Sequence, residues 1–526
     1  MKSLGLEDIA VFAWDARGHG RSAGERGAGE NFAATVKDVD AFVRHLCEEH
    51  EIAPEDMIVL AQSIGAVSVA AWVHDYAPPI RAMILATAAF RVRLYVPLAL
   101  PALRLKQRTI GSGFVRSYVK GKMLTHDAEQ AAQYDADPLI FRQIAVNMLL
   151  GLHDTSKRVL ADAGAIHVPT LMLGAGSDWV VTLDAQREFF HKLSSPVKRM
   201  HVFPAAHHAI FHEVDRERVI DRVREFVVER FAEPSITPSL FEADKMGHTW
   251  EEHEALKLRG GIHFPLIRAA MKVGGRISKG IGLGWRHGFD SGLTLDYVYE
   301  NQPQGSTRLG RLIDSTYLNT VGWRGIRQRK TNLEKLLRKT IEATAAEGDP
   351  VRILDVAAGG GRYVLETIKS LPDIPMAAVL RDYKPENVEA VRALAVQLGL
   401  ENVIIEQADA FDRASYEDIK PPATIGIVSG LYELFPSNAA VAESLAALAE
   451  AIETGGHLIY TNQPWHPQLE FIARVLRNRE GKPWIMRRRT TAEIDQLVRN
   501  AGFRKIEMEI DQWGMFSVSV ARRVLA

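Results

Sequence analysis

The chain has 526 residues, of which 47% are apolar and 25% are charged. This is the composition of a soluble globular protein of several domains, at roughly 150 residues per domain, and it excludes a fibre, a disordered chain and a small disulfide scaffold. The 64 basic and 65 acidic side chains give a formal net charge of −1, so no excess of charge points to nucleic acid as a partner.

The single cysteine, Cys47, excludes an internal disulfide and a cysteine-based metal site, and we predict no metal site. No apolar run is long enough to span a membrane, and the first residues lack the pattern of a secretory signal peptide. We therefore expect a cytoplasmic protein with at most peripheral membrane contact.

Short apolar runs alternate with helical patterns in two stretches of the chain, which predicts two α/β domains with mainly parallel sheets. The strands predicted in the first stretch are 8–15, 57–63, 82–89, 170–176 and 199–204. Those predicted in the second are 351–357, 376–382, 402–409, 424–430, 457–462 and a pair near 504–509 and 515–520. The predicted domains are 1–232, with a cap at about 90–165, and 320–526, and both should carry their sites at the carboxyl ends of strands.

The segment 233–319 between them follows neither pattern and is predicted to be an irregular, basic connector. Its part 255–289 contains no Asp or Glu. It contains seven basic residues, Lys257, Arg259, Arg268, Lys272, Arg276, Lys279 and Arg286. Apolar side chains are interleaved with them, so 255–289 is either a cationic segment that contacts a membrane surface or a connector that packs on one of the domains.

A serine follows the second predicted strand in the tract L-A-Q-S-I-G-A, which places Ser63 at a sharp turn between a strand and a helix. Asp178 and His208 each follow a later predicted strand. The chain order serine, aspartate, histidine is that of a catalytic triad on such a sheet. The histidine would take the serine proton, the aspartate would orient the histidine, and the backbone N–H of Ile64 would be one donor to an oxyanion.

Five tracts carry a resemblance to a known family: D-A-R-G-H-G-R-S at 15–22, A-Q-S-I-G at 61–65, LTHDAEQAAQYDADPL in the cap, G-S-D at 176–178 and A-H-H-A-I-F-H-E at 206–213. Through them the first domain resembles α/β-hydrolases of the monoacylglycerol lipase and lysophospholipase type. The resemblance implies Ser63 as nucleophile, Asp178 as acid and His208 as base, with His207 as the rival base. The apolar stretch 91–108 of the cap either accommodates an acyl chain or a lipid-like ester, or packs the cap onto the core.

The chain departs from this family in two places. Ala61 replaces the first glycine of the turn. In the family, three strands, a helix and the loop with the second oxyanion donor precede the tract 15–22, whereas this chain starts close to the fourth strand. Two explanations stay open: a start codon placed too late, or a degenerate remnant of a hydrolase.

In the second domain, acidic residues follow three successive strands. The tract V-R-I-L-D-V-A-A-G-G-G-R-Y places Asp355 at a strand end and Gly359 and Gly361 in the turn before a helix, where backbone can approach a ligand. The next two strands end in Asp382, placed to accept hydrogen bonds from ribose hydroxyls, and Asp409, near where an adenine amine could donate. The pattern indicates a nucleotide-type cofactor.

The alternation continues through a strand ending in S-G-L-Y-E, a helix, the tract G-G-H-L-I-Y-T-N-Q-P and a terminal strand pair. With these features the domain resembles the class I S-adenosylmethionine-dependent methyltransferases, which have a Rossmann-like fold. Their D-x-G-x-G-x-G signature appears here with Ala357 in place of the first glycine. The resemblance implies S-adenosylmethionine as cofactor, with the two glycines at its methionine part, Asp382 at its ribose and Asp409 at its adenine. It favours this cofactor over a dinucleotide.

Polar residues after the later strands are candidates for the methyl-acceptor side, namely Tyr432, Glu433, Asn462, Gln463 and His466. Candidates to cover the cofactor precede the domain's first strand, namely Tyr317, Trp323, Arg324 and Arg327. Methyl transfer needs mainly a nucleophile held in line with the sulfonium, sometimes with a base. No aromatic-cage or Asn-Pro-Pro-Tyr signal of nucleic-acid base methylation is present, so we expect a small-molecule or lipid acceptor.

The whole arrangement resembles bacterial fusions of an α/β-hydrolase with a methyltransferase. The first hypothesis is such a fusion with both activities, acting on lipophilic or lipid substrates. In the second, only the methyltransferase is active and the hydrolase region is a scaffold or substrate-binding module. The third is a membrane-peripheral binding protein in which both sites are relics, and the intact Asp355, Asp382 and Asp409 argue against it.

Overall fold

The computed structural model describes residues 5–258 and 260–524, and the chain divides into two units, Met1–Pro238 and Ser239–Ala526. Each unit has its own parallel or mixed sheet covered by helices. The predicted fold class is confirmed, since a hydrolase-like α/β region is followed by a Rossmann-like α/β region.

The described part of the first unit forms seven helices and six strands. The helices are α1 (Phe32–His50), α2 (Ile64–Tyr76), α3 (Ala99–Thr109), α4 (Ala128–Ala136), α5 (Val146–Ala161), α6 (Leu183–Lys192) and α7 (Arg216–Ala232). The strands are β1 (Ile58–Gln62), β2 (Ala82–Ala86), β3 (Phe114–Arg116), β4 (Gln143–Ala145), β5 (Thr170–Ala175) and β6 (Lys198–Phe203).

Four of these strands form a parallel sheet in the order β1, β2, β5, β6. Every residue of β2 and β5 is buried, as expected for central strands with helices on both faces. The segment 90–165, predicted as a cap, is inserted between β2 and β5 and contains α3, α4, α5 and the short antiparallel pair β3–β4.

The predicted strand 8–15 is wrong: this segment has no strand structure. Among the described residues β1 pairs only with β2, and an extended segment becomes a strand only where a neighbour completes its ladder of hydrogen bonds. The segment instead lies against α1, where the Phe12 ring is 4.7 Å from His50 and the Trp14 ring is 4.5 Å from Phe42.

The described part of the second unit forms eleven helices and seven strands. The helices are α8 (His248–Lys257), α9 (His263–Gly274), α10 (Lys279–His287), α11 (Gly292–Glu300), α12 (Arg308–Leu318), α13 (Val321–Ala346), α14 (Arg362–Lys369), α15 (Pro385–Leu398), α16 (Asn438–Ala451), α17 (Leu469–Val475) and α18 (Thr491–Asn500). The strands are β7 (Val351–Asp355), β8 (Met376–Asp382), β9 (Val403–Gln407), β10 (Ala423–Val428), β11 (Ile452–Asn462), β12 (Phe503–Ile510) and β13 (Ser517–Arg523).

The seven strands form one sheet in the order β12, β13, β11, β10, β7, β8, β9. Strands β11, β10, β7, β8 and β9 are parallel, and β13 is antiparallel to both of its neighbours. From β7 the chain continues through β8 to β9 at one edge of the sheet, and it then returns to form β10 on the other side of β7. The switch point therefore lies between β7 and β10. In such sheets a ligand binds at the carboxyl ends of the strands beside this switch point.

The prediction of an irregular connector over 233–319 is wrong, because α8 to α12 occupy 248–318 and belong to the second unit. Buried Asp314 joins three of these helices: it accepts hydrogen bonds from Ser278 Oγ at 2.6 Å, from the Gly280 N–H at 2.8 Å and from the Tyr297 hydroxyl. Apolar residues of α9 to α12 pack in one core with α13 and α17. Gly280 and Gly284 lie inside α10 without interrupting it, and both are buried where a side chain would overlap an aromatic ring.

Candidate active sites

In the first unit the three predicted triad residues meet at the carboxyl end of the sheet. His208 Nε2 lies 2.8 Å from Ser63 Oγ, and His208 Nδ1 lies 2.8 Å from Asp178 Oδ2. Both His208 and Asp178 are buried. Residues separated by 145 and 30 positions in the chain are thus linked by two direct hydrogen bonds.

The hydrogen bonds also determine which atom carries each proton. The Asp178 carboxylate can only accept, so His208 Nδ1 carries the hydrogen that it donates to Asp178, and Nε2 accepts from the Ser63 hydroxyl. The other Asp178 oxygen accepts from the N–H groups of Val180 and Val181, at 2.7 and 2.9 Å. His208 is therefore held as the tautomer that can take a proton from the serine.

Ser63 lies in a strained turn between β1 and α2, with φ of 56° and ψ of −120°. A positive φ in a residue other than glycine costs about 1–3 kcal/mol and is typical of active-site turns. Ile64 is the first residue of α2, so its N–H has no partner within the helix and is available to an oxyanion. Gly65 follows it, with only the Ala61 side chain near its open face.

His207, the rival base, does not join this chain of hydrogen bonds. Its ring stacks on His126, with centroids 3.8 Å apart, and its backbone N–H donates to Glu213 at 2.7 Å. The structure therefore selects His208 as the histidine that contacts Ser63.

The second unit contains a cavity of about 570 Å³ at the carboxyl ends of β7, β8 and β10. One side is formed by the glycine turn after β7, by Asp382 and by 429–431. The other side is largely apolar and carries six aromatic side chains, those of Tyr299, Tyr317, Trp323, Phe471, Trp484 and Phe516. This is the volume and character of a site for a small molecule, at the place that the fold predicts.

The glycine turn has the geometry that the sequence predicts. Gly359 and Gly361 have φ of 58° and 60°, which residues with a side chain rarely adopt. A methyl group on Gly361 would also lie 2.9 Å from the Leu380 side chain, whereas one on Gly359 would point into open space. Ala357, which replaces the first glycine, does not have a positive φ, so this substitution does not strain the turn.

Asp382, predicted to bind ribose, lines the cavity. One of its oxygens accepts from the Gly359 N–H at 2.9 Å, and the other accepts from the Lys384 N–H and from Asn387 Nδ2, each at 2.9 Å. Each carboxylate oxygen has two lone pairs, so capacity remains for a ligand hydroxyl.

The other two predicted acids do not reach the cavity lining. Asp355 is fully buried behind the glycine turn, where the Tyr363 hydroxyl donates to it at 2.7 Å, and burial raises the pKa of Asp355 to about 7. Asp409 accepts from the Phe411 N–H at 2.9 Å and shapes the turn after β9. Of the three predicted acids, Asp382 therefore lines the cavity, whereas Asp355 and Asp409 do not.

Among the acceptor-side candidates, Glu433, Gln463 and His466 line the cavity, and the other two do not. The Tyr432 hydroxyl is within 3.1 Å of Ser444 Oγ in the core, and Asn462 Nδ2 donates to the Arg489 carbonyl at 3.0 Å. The Tyr432 and Asn462 side chains therefore form hydrogen bonds within the fold, whereas their chain neighbours Glu433 and Gln463 line the cavity.

Two charged residues of the cavity lining, Arg329 and Glu433, form a buried ion pair. Arg329 of α13 lies 3.2 Å from Glu433 Oε1, and both side chains are 8% exposed. Among the described residues Glu433 Oε2 has no hydrogen-bond partner, and the same holds for Gln463 Nε2 and Trp484 Nε1. An unpaired buried polar group is costly unless a ligand or water completes it, so these atoms indicate where a ligand's polar groups bind.

His466 presents a proton donor to the cavity. The Gln468 N–H donates to His466 Nδ1 at 3.1 Å, so in the neutral ring the hydrogen is on Nε2. Burial lowers the pKa of His466 to about 4, and the ring is therefore uncharged near neutral pH. Its Nε2–H can hold an oxygen atom of a ligand but cannot act as a base from that nitrogen.

Of the cavity wall formed by α11 and α12, sequence reasoning identified only Tyr317. Asp296 and Tyr299 of α11 line it, as do Leu312 and Ile313 of α12. Asp296 also lies beside the glycine turn, with its carboxylate 3.5 Å from Arg362 Nε. The signal in the sequence was the helical spacing of apolar residues over 292–318, which the glycine content of the preceding segment obscured. Of the covering candidates, Tyr317 and Trp323 line the cavity, whereas Arg324 stacks on Trp513.

Within the described residues, no helix combines the length and the apolar character needed to cross a bilayer.

Two family models match the chain. Residues 223–523 match the family described as "Putative methyltransferase", and residues 1–215 match the family described as "Serine aminopeptidase, S33". The first match covers more than half of the chain and includes α8 to α12, in agreement with their place in the second unit.

Similar proteins reflect both parts. Over 531 aligned positions, 99% of this chain and 90% of the relative, the chain is 48% identical to the protein named "Uncharacterized protein YnbC" of Escherichia coli K12. A monoacylglycerol lipase of Mycolicibacterium smegmatis is 25% identical over 43% of this chain and 80% of its own length. A solved SAM-dependent methyltransferase from Methanosarcina mazei is 16% identical, with a TM-score of 0.28, over 34% of this chain and 94% of its own. The chain belongs to the family described as "Putative methyltransferase" and carries an N-terminal α/β-hydrolase domain of the serine aminopeptidase S33 type.

Proposed function

We propose that the second unit is an S-adenosylmethionine-dependent methyltransferase for a lipophilic acceptor, and that the first unit is a serine ester hydrolase. The observation that carries the first part is the cavity at the carboxyl ends of β7, β8 and β10, with a glycine turn on one side and a mostly apolar wall on the other. S-adenosylmethionine, when bound, supplies an electrophilic methyl group on a sulfonium.

The residues present fit this cofactor. Asp382 is placed to accept from ribose hydroxyls, and the open face of Gly359 leaves room for close approach. The Arg329–Glu433 pair offers a cation and a carboxylate oxygen without a partner among the described residues, which match the carboxylate and ammonium of an amino acid. We therefore assign Glu433 to the methionine end of the cofactor, although the sequence placed it on the acceptor side.

The remaining wall supports a lipophilic acceptor. Aromatic and aliphatic side chains dominate it, and burial of their surface favours an apolar ligand by about 25 cal/mol per Å². The His466 Nε2–H and the Gln463 amide are the polar groups that would orient an oxygen of the acceptor. Catalysis by this chain would then consist mainly of holding the acceptor in line and excluding water.

Titration calorimetry with S-adenosylmethionine tests the proposal without knowledge of the acceptor. We expect binding, and we expect Glu433→Gln to weaken it by roughly tenfold or more, because a charge-assisted hydrogen bond is lost. Glu453→Gln, a change at a partly exposed glutamate at the start of β11, is the control and should leave the affinity unchanged. A folded chain that does not bind S-adenosylmethionine would contradict the proposal.

For the first unit, the proposal is supported by the contacts from Ser63 to His208 and from His208 to Asp178. His208 would take the proton of Ser63 as the hydroxyl attacks an ester carbonyl, and would return it to the leaving alcohol. Asp178 would stabilise the imidazolium, and the Ile64 N–H would donate to the oxyanion. Labelling of Ser63 by a fluorophosphonate probe, which reacts with activated serines, tests this activity.

A further inference from the structure

Apolar side chains project to the surface from α9 and α12 of the second unit. The inner face of α9 carries Phe264 and Met271, which pack in the core. Its outer side and the outer side of α12 also carry large apolar residues, each at least 60% exposed, namely Ile262, Leu266, Val273, Leu309 and Leu312. Single exposed apolar residues are ordinary, but five on two helices form a surface that folding does not explain.

Positive charge surrounds these side chains. Exposed basic residues of α9, α12 and the turn between α9 and α10 are Lys272, Arg276, Arg308 and Arg311. The sequence contains no Asp or Glu over 255–289 or over 301–313, so no carboxylate in these two segments offsets them. Of the basic residues counted in the sequence, Arg259 lies outside the described residues, and Lys257 is paired with Glu254 at 2.6 Å.

The carboxyl end of α9 lies beside α12. A methyl group on Gly274 at the end of α9 would lie 3.9 Å from the Ile313 side chain of α12. The Ser306 N–H, just before α12, donates to the Ile277 carbonyl at 2.9 Å, just after α9. We call the exposed apolar and basic side chains of these two adjoining helices the α9–α12 face.

The cavity reaches this face. Met271 of α9 lines the cavity, and so do Leu312, Ile313 and Thr316 of α12. Leu312 is also one of the exposed residues, so the same side chain touches the cavity and the solvent. An apolar ligand that enters here would pass from the α9–α12 face directly into the apolar part of the cavity.

We propose that the α9–α12 face docks on the surface of an anionic phospholipid bilayer, and that the lipophilic acceptor enters the cavity from that bilayer. The part about the acceptor rests on the proposed methyltransferase function; the docking does not. Exposed Leu, Ile and Val side chains insert between acyl chains, while Lys and Arg side chains contact anionic headgroups. An acidic protein would match the charge but not the exposed apolar side chains.

Vesicle sedimentation tests the docking. The full chain should sediment with vesicles made of equal parts phosphatidylcholine and phosphatidylglycerol, should not sediment with phosphatidylcholine alone, and should release in high salt. Each basic residue near an anionic surface strengthens binding roughly fivefold. The variant in which Lys272, Arg276, Arg308 and Arg311 are all replaced by Gln should therefore bind on the order of several hundredfold more weakly.

A matched variant tests whether the loss of binding depends on the α9–α12 face or only on the net charge of the chain. It replaces four exposed basic residues at the opposite edge of the sheet, where the chain enters β8, β10 and β12, namely Lys369, Lys420, Arg499 and Arg504, by Gln. It has the same net charge as the first variant, and we expect it to bind within about twofold of the wild type. Leu266→Ser with Leu309→Ser should also weaken binding while leaving all charges in place.

Three results would overturn the docking proposal: no binding of the wild type to anionic vesicles, equal binding by the α9–α12 variant, or an equal loss in the matched variant. Calorimetry with S-adenosylmethionine on the same proteins separates this proposal from the proposed function. Loss of vesicle binding with cofactor binding intact confirms docking by this face. A wild type that binds the cofactor but no vesicles contradicts docking alone, and one that binds vesicles but no cofactor contradicts the methyltransferase function alone.

Discussion

The two candidate sites satisfy their polar groups in opposite ways. In the first unit, Ser63, His208 and Asp178 complete each other's hydrogen bonds, with contacts of 2.8 Å. In the second unit, the cavity contains polar atoms that no described residue completes, among them Glu433 Oε2 and Gln463 Nε2. The first site is an arrangement of reactive side chains, whereas the second is a cavity whose wall offers polar atoms to a ligand.

The difference shows where the chemistry of each site comes from. A serine becomes nucleophilic only through its neighbours, so the protein must supply a complete relay before substrate binds. A methyltransferase needs little from its side chains beyond position, because the reactive group belongs to the cofactor. Point substitutions should therefore abolish the function of the first site but only weaken binding in the second.

The largest effect is expected for Ser63→Ala. It removes the only atom that can form the acyl intermediate, so labelling by a fluorophosphonate probe should disappear and hydrolysis of a short-chain ester should fall on the order of 10⁴-fold or more. Mass spectrometry of the labelled peptide and a spectrophotometric ester assay measure the two effects.

Two matched substitutions control for folding. Ser68→Ala changes a buried serine one turn along α2 whose hydroxyl bonds to the Ile64 carbonyl at 3.3 Å, and it should retain labelling. His207→Ala should retain most activity, whereas His208→Ala should lose it. A folded wild type that the probe does not label would leave the first unit as a scaffold or substrate-binding module.

The next largest effect is the pH dependence of the free energy of unfolding that His466 contributes from the cavity wall. The pKa of His466 is lowered to about 4 by burial, from an ordinary value of 6.5. Between pH 4 and pH 6.5, His466 is protonated in the unfolded chain but not in the folded chain. Its contribution to the free energy of unfolding therefore falls as the pH decreases from 6.5 to 4. The loss amounts to about 3 kcal/mol, at 1.36 kcal/mol per pKa unit.

Comparison of the wild type with His466→Gln isolates this contribution, because the other titrating groups are common to both. Asp355 has the opposite pH dependence. Burial raises its pKa to about 7, so its contribution to the free energy of unfolding decreases as the pH rises from 3.8 to 7. Because Asp355 is present in both proteins, this contribution is common to both. The difference in unfolding free energy between the two proteins, measured by urea denaturation, should shrink or reverse on acidification. His287→Gln, at an exposed histidine of α10, is the control for replacing a histidine by glutamine. A pH-independent difference for His466→Gln would contradict the assignment.

The smallest effect is expected for Asp382→Asn. It removes one acceptor from a carboxylate that already holds the Gly359 N–H at 2.9 Å, so both the ligand contact and the glycine turn are weakened. The affinity for S-adenosylmethionine should fall by about 1–3 kcal/mol in calorimetry. Asp373→Asn, at an exposed aspartate before β8, is the control. Unchanged affinity for Asp382→Asn would remove the ribose assignment.

Much of the fold could be predicted because buried parallel strands are continuous apolar runs and because turns contain characteristic residues. The strands β7 to β13 lie within a few residues of the predicted runs, and Ser63, Asp178 and His208 follow the strands that the sequence assigned to them. The segment 8–15 was misassigned because a run of apolar residues indicates burial or extension, whereas a strand also requires a neighbour. The helices α8 to α12 were missed because propensity counts against glycine, although close helix packing can require it.

The sequence by itself determined the two-part α/β organisation, the serine, aspartate and histidine of the first site, and the glycine turn and Asp382 of the second. These are local features: each depends on a strand end and the residues that follow it. Only the tertiary structure decided which further residues line the cavity: Asp355, Asp409, Tyr432 and Asn462 do not, whereas Asp296 and Tyr299 of α11 and Leu312 and Ile313 of α12 do. Those choices depend on side-chain direction and on contacts between residues distant in the chain, which periodicity and spacing do not encode.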